Sequence, residues 1–161
     1  MDKQANAPSE TPQAASDVET RRKVVIRYAN GLLLRGFLST KDEAALAANE
    51  LDSFVVQSDD GELVRVRASE IKAIFFVKSF EGSPDYSEFK VFPGRPNGKG
   101  IWVRVHFLDG EIMEGVAPNS LDTYSKPVFY MTPPDPASNN QAVVVSKRFL
   151  KEMQVLGLAA E

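Results

Sequence analysis

The sequence predicts an all-β chain made of two tandem five-stranded small β-barrels, with one short inserted helix and a disordered N-terminal tail. Three observations carry that expectation. Runs of alternating apolar and polar residues begin at residue 21, Asn-Gly and Asp-Gly pairs punctuate them, and the same arrangement returns later in the chain. With 161 residues there is room for one ordinary domain or two very small ones, and 43% hydrophobic with 25% charged residues is globular composition. A net charge of -3 and a pI near 5.3 argue against wholesale coating of nucleic acid or anionic membrane. The chain has no cysteine and one histidine, His106, which excludes a disulfide framework, a thiol nucleophile and a multi-histidine metal site. No apolar stretch approaches the ~18 residues of a membrane span, and the N-terminus lacks a signal peptide's apolar core. The expected location is the cytoplasm.

Residues 1–20 carry one large aliphatic side chain, Val18, and no aromatic. Such a segment buries too little apolar surface to offset its ordering entropy, so a disordered acidic tail is expected. The first barrel is expected over 21–81. Val24, Ile26 and Tyr28 share one face of a strand, Lys23, Val25 and Arg27 the other. Asn30-Gly31 then predicts a type I′ hairpin turn before Leu32-Leu33-Leu34. The second barrel is expected over 101–161. There Val103, Val105 and Phe107 alternate with Arg104 and His106 ahead of Asp109-Gly110. Gly36 and Gly115 stand at the same place in the following strands, where a glycine permits a sharp bend or a close backbone approach.

The two segments share one offset at five anchors, although between the anchors the copies differ by about four residues, so that Phe54-Val55-Val56 matches Val128-Phe129-Tyr130 only after a shift. Gly31 to Gly110, Val64 to Val143, Val66 to Val145, Ile71 to Leu150 and Ile74 to Met153 are each steps of 79 residues. An internal duplication accounts for this. Thr40-Lys41-Asp42-Glu43 reads as a capping box with Thr40 as N-cap, so a helix is expected over 41–50; the second copy has the proline-containing stretch after Pro118 instead. Asp59-Asp60-Gly61 reads as a hairpin turn. Residues 82–100, with Gly82, Pro84, Pro93, Gly94, Pro96, Gly98 and Gly100, read as a linker in which Phe89-Lys90-Val91-Phe92 adds a short strand or an aromatic anchor. Units this small are marginal alone, so the copies are expected to pack on each other, with Trp102 covering the seam.

VVIRYANGLLLRGFL followed by LVRVRASEIKAI resembles the Sm/LSm-type (SH3-like) small barrel, over roughly 60 residues in each copy. The likeness implies RNA binding and ring assembly, although the usual leading helix and the RNA-site residues of that family are not matched. The second copy, through VHFLDGEIMEG and FYMTPPDPASNNQAVVV, also resembles an uncharacterised bacterial domain that sometimes accompanies regulatory or pilus-associated proteins and has no established activity.

Two candidate surfaces stand out. Arg65 and Arg67 alternate with Val64 and Val66 on one strand face, with Arg27 and Arg35 in the neighbouring hairpin; joined by Arg21, Arg22 and Lys23 they would form a basic, anion- or nucleic-acid-binding face. In the second copy those places carry His106, Glu114, Val144 and Ser146. The loop Pro133, Pro134, Asp135, Pro136, Ser138, Asn139 and Asn140 combines residues that fix and bend the backbone, and is the candidate partner-binding loop. No catalytic residue, metal site or cofactor is assigned: no carboxylate pair stands out, no nucleophile is placed beside His106, and neither a phosphate-cradling loop nor the motif of PilZ-type cyclic-dinucleotide receptors is present. The sequence therefore points to a non-enzymatic protein-binding or regulatory module, acting on a protein partner or on itself through exposed strand edges. RNA or nucleotide binding through Arg27, Arg35, Arg65 and Arg67 is the alternative, and no membrane partner is expected.

Overall fold

Each alternating run forms a strand, and the fold is all-β. The computed structural model describes residues 21–81, 91–134 and 138–160; the expected tail over 1–20, and Phe89, Lys90, Asp135 and Pro136, lie outside them. The first half contains β1 (Arg21–Tyr28), β2 (Leu33–Ser39), α1 (Thr40–Ala47), β3 (Ser53–Ser58), β4 (Leu63–Arg67) and β5 (Ile71–Val77). The second contains β6 (Ile101–Phe107), β7 (Ile112–Ala117), α2 (Leu121–Ser125), β8 (Val128–Met131), β9 (Asn140–Ser146) and β10 (Leu150–Leu158). A 3-10 turn precedes the last strand of each half, over Ala68–Glu70 and Lys147–Phe149.

The strands do not make two separate five-stranded barrels, and no barrel closes among the described residues. They form a seven-stranded sheet ordered β4-β3-β2-β1-β5-β9-β8 and a three-stranded sheet ordered β10-β6-β7. The second half is thus divided: β9 pairs antiparallel with β5 of the first half, while β6, β7 and β10 stand in the other sheet. One bridge, Val116 to Thr132, joins the end of β7 to the end of β8. The reason lies in β5. All seven of its residues are buried, because its two faces serve two cores. Ile74 and Phe76 pack with Val24, Ile26, Leu38, Phe54, Val56 and Val66 inside the first half. Ala73, Phe75 and Val77 pack with Val103, Val105, Phe107, Phe129, Val143 and Val145 of the second.

Pairing registers recur at the expected offset. Val24 faces Gly36 and Phe76, and Val103 faces Gly115 and Val155; Ile26 faces Ile74, and Val105 faces Met153. Val56 faces Val64, and Met131 faces Val143, where the step from Val64 to Val143 is again 79 residues but that from Val56 to Met131 is 75. Both glycines permit a close approach. A Cβ on Gly36 would lie 2.6 Å from the Gln57 carbonyl oxygen, and one on Gly115 would lie 2.7 Å from Met131 Sδ.

The hairpin turns differ from the expected type I′, which needs positive φ at both central residues. Gly31 has φ +94° while Asn30 does not have a positive φ. Gly31 N–H donates to Tyr28 O, Tyr28 N–H to Leu32 O, and Asn30 Oδ1 accepts from Leu32 N–H. This is the longer loop that ends in one left-handed glycine, stabilised by an Asx bond. Asp60-Gly61 and Asp109-Gly110 repeat it.

Helix α1 begins one residue earlier than the capping box predicts. Ser39, not Thr40, is the N-cap, its Oγ accepting from Asp42 N–H at 3.0 Å. Glu43 is therefore free of the cap and turns to Arg22 and Tyr130. A second helix, α2, occupies the stretch after Pro118, where none was expected; Thr123 Oγ1 donates to Pro118 O at 2.6 Å and ties its first turn down. In the 82–100 linker, Phe92 does supply an aromatic anchor, meeting Trp102 edge-on at 6.3 Å. Trp102 has its aromatic and hydrogen-bonding contacts there, within the second half, rather than on the seam.

Candidate functional site

Charged side chains meet across the seam between the halves, with Lys72 and Glu111 mostly enclosed and Asp109 and Arg27 partly exposed. Lys72, on β5, is 8% exposed, and its Nζ lies 2.6 Å from Asp109 Oδ2 and 2.5 Å from Glu111 Oε1 on the β6–β7 hairpin. The Lys72 hydrogen bond holds the Asp109 carboxyl below its ordinary range. Arg27 adds a 3.3 Å contact to Glu111 while its guanidinium lies over the Phe75 ring. On the other face Arg22 pairs with Glu43 at 3.1 Å and covers Phe76, whose ring stacks on Tyr130. Tyr130 Oη donates to Glu43 Oε2 at 3.0 Å, and burial pushes its phenol above the ordinary range. A helix of the first half is thus tied to a strand of the second.

These contacts divide the expected basic face. Arg22 and Arg27 are used at the seam on opposite faces, and Arg21 is held by Gln57. Arg35, Arg65 and Arg67 are exposed. Arg35 lies beside Asp59, whose N–H donates to its carbonyl, whereas Arg65 pairs with Val55. Four residue steps, from Val55 in β3 to Asp59 just past its end, separate those points, roughly 13 Å at a strand's rise. Only Arg65 and Arg67, two residues apart on β4, remain neighbours, with Arg65 donating to Ser53 Oγ at 3.1 Å.

In the second half the place of Arg35 is taken by Glu114, 1% exposed. Burial alone would raise its carboxyl, but donors from Phe92 N–H, Trp102 Nε1 and Arg104, with the Arg104 charge, outweigh burial and lower it. The carboxylate is fully used as a structural hub. His106 meets Gln154 at 3.3 Å on the same face.

The expected binding loop is partly turned inward. Asn139 Nδ2 donates to Ser79 O at 2.8 Å, its Oδ1 accepts from Ser79 N–H, and its carbonyl accepts from Lys78 N–H. Ser138 is buried and its Oγ accepts from Asn140 N–H. Pro133 and Pro134 help line an open groove of about 1050 Å³, with Arg95, Lys99, Asn119 and Tyr130 among its other walls. Among the described residues no group of three His, Asp or Glu side chains is placed to hold a metal ion.

Two strand edges remain. Taking the β7–β8 bridge as a join, the strands run in one path, β4-β3-β2-β1-β5-β9-β8-β7-β6-β10. Among the described residues, β4 pairs only with β3 and β10 only with β6. Leu63 (74%) and Val55 near β4, and Val155 (48%), Leu156 and Leu158 on β10, are exposed apolar side chains, as are others away from these ends such as Leu32, Leu108 and Leu121. Sequence reasoning named strand edges in general but not these two, because the choice depends on β9 leaving its own half.

The fold and these ends define an all-β protein with a charged internal seam and, among the described residues, two sheet edges that no further strand pairs, the end of β10 receiving a hydrogen bond from Arg95 Nε at Leu158 O. The chain belongs to the family of unknown function DUF6982, which matches residues 20–157. No curated protein and no solved structure matches it.

Proposed function

We propose that the protein is a non-enzymatic binding module, made of two duplicated Sm-like lobes, that recognises protein by adding a strand at β4 or β10. The observation that carries this reading is the pairing of β9 on β5. This fold already completes one sheet by accepting a strand from outside the half that begins it. An unpaired edge offers a row of N–H and C=O groups to an extended segment, and alternate side chains set specificity. The recurrence of pairing at the 79-residue offset supports the duplication.

The test is selection of displayed ten-residue peptides on the full chain, against Val64→Pro and Val155→Pro variants that remain folded. Binders lost on one of the edge variants support the reading. A selection that enriches nothing above the variants overturns it.

Anion binding is the second reading, favoured by the exposed pair Arg65 and Arg67. It predicts oligonucleotide affinity that falls steeply with salt. Unchanged affinity in the Arg65→Glu/Arg67→Glu variant would remove it.

A further inference from the structure

Residues 91–100, which the sequence presents as part of a linker, are tied down as a wall. Phe92 N–H donates to Glu114 Oε1 at 2.9 Å, and the Phe92 ring meets Trp102. Arg95 Nε donates to Leu158 O, Gly98 N–H to Ala160 O and Ala160 N–H to Pro96 O, each at 2.8 Å. At Gly100 the wall closes on β7: a Cβ there would lie 2.2 Å from Ala117 O, so glycine alone permits the approach. The ends of β7 and β8, joined at Val116 and Thr132, complete the open groove of about 1050 Å³. We infer that this groove binds an extended peptide segment in which a large aromatic side chain is flanked by carboxylates. The site goes beyond the edge-pairing reading and stands without it.

The backbone of the groove decides how an occupant is held. Five of the lining residues are prolines, Pro133 and Pro134 among them, and proline has no N–H to donate. The Val116 and Thr132 N–H groups are engaged with each other's carbonyls, and Ala159 N–H donates to Gly100 O. These backbone groups therefore offer no ladder to an added strand, and recognition falls to side chains. The proline rings, with the half-buried rings of Phe92 and Tyr130, present apolar surface broad enough for an aromatic side chain. Because the wall is already tied down, little of it has to be ordered on binding.

Charge decides what flanks that side chain. Arg95 and Lys99 both line the groove and both are exposed, and no acidic residue is among the lining residues. On a chain of net charge -3 the groove is a locally positive site. The bond from Arg95 Nε to Leu158 O holds the guanidinium in place. Glu114, which ties down Phe92, is itself paired with Arg104 at 2.6 Å. Carboxylates on the occupant complement the two cations, and lysines are repelled. A nucleic acid is the poorer fit, since its affinity comes from neutralising many phosphates and the groove supplies two charges.

Fluorescence anisotropy on the full chain tests this with three labelled nine-residue peptides. The probe has a central phenylalanine with two glutamates on each side in a glycine–serine background. The second peptide replaces the glutamates by lysines, and the third replaces the phenylalanine by serine. The expected result is saturable binding of the probe and roughly tenfold or weaker binding of the other two. Lys99→Glu should weaken the probe about fivefold and Arg95→Gln/Lys99→Glu roughly tenfold, which is what two partly exposed ion pairs supply. Asn119→Trp, at an exposed position of the lining, should obstruct the groove and weaken the probe at least as much. Each variant is first verified to be folded, and the peptide comparison on the unaltered chain holds whichever variants fold. Val64→Pro and Val155→Pro, away from the groove, should leave the probe's affinity unchanged. No binding of the probe, equal binding of the three peptides, or full affinity in the groove variants would overturn the inference. Displacement of the probe by an oligothymidylate would also overturn it, with nucleic acid as the occupant. Loss of the probe on the edge variants alone overturns the groove and leaves the edge reading standing. A groove that binds while the edge selection enriches nothing leaves this inference and removes that reading.

Discussion

Lys72 and Asp109, 37 residues apart, meet at 2.6 Å across the seam between the two halves. One stands at the bulge of β5, the other in the β6–β7 turn. The pair is half buried, since Lys72 is enclosed while Asp109 keeps contact with water. Lys72→Met should therefore cost less than the loss of a fully enclosed ion, about 1–3 kcal/mol, with Asp109 and Glu111 rehydrating. Urea unfolding at neutral pH checks the value. An unchanged midpoint would mean that apolar packing alone holds the seam.

Glu114 and Asp109 both have depressed carboxyl pKa values, so the sign of their pH dependence is fixed. Each contributes stability that is fully present above the ordinary carboxylate range, about 4, and is lost as pH falls through the lower folded value. Stability should fall as the pH drops below about 4 and the lower folded values are crossed. Glu114→Gln should lower stability at pH 7 by roughly 2–4 kcal/mol, because Arg104 loses its charged partner. It should also flatten the acid limb of a Tm-against-pH curve. A variant as acid-sensitive as the parent would contradict the role given to Glu114.

Gly36 and Gly115 occupy matching places but face different obstacles. The Cβ of Gly36→Ala would strike a backbone carbonyl, which cannot move without breaking the β2–β3 pairing. That of Gly115→Ala meets Met131 at Sδ, Cγ and Cβ, of which a rotamer change relieves the first two and leaves only the 2.9 Å contact to Cβ. The first substitution should cost more than about 2 kcal/mol and the second about 1. Met131→Ala should partly rescue the second in a double-mutant cycle and leave the first unaffected. Equal costs would refute the distinction.

Tyr130→Phe keeps the stack on Phe76 and removes the hydroxyl bonded to Glu43. The expected cost is about 1 kcal/mol, concentrated on α1. Amide exchange over Thr40–Ala47 should quicken more than in β1. Uniform change across both elements would place the effect in the core instead.

Alternation and turn chemistry were legible in the sequence because they are local. Val24, Ile26, Val103 and Val105 enter cores where their period-two spacing puts them, and Gly31 and Gly110 mark hairpins. The turn differs from the type I′ expectation because Asn-Gly suits two geometries, which the φ of Asn30 and the hydrogen bond from Gly31 N–H to Tyr28 O separate. The N-cap slipped by one residue because Ser39 and Thr40 are chemically alike. The larger difference, β9 pairing on β5, is non-local. One signal was present: IKAIFFV is apolar on both faces, as a strand covered on both sides must be. The basic face is divided for a related reason, since Arg22 and Arg27 find partners whose proximity only tertiary structure creates. The partners of Asn139 lie some 60 residues away and gave no local sign.

Because β5 is shared by two cores, neither half owns all of its own interior. A fragment ending after residue 81 would leave Phe75 and Val77 bare, and one beginning at residue 91 would leave Val143 and Val145 without their cover. Produced separately, each piece should precipitate; produced together, they should find each other and reconstitute the whole.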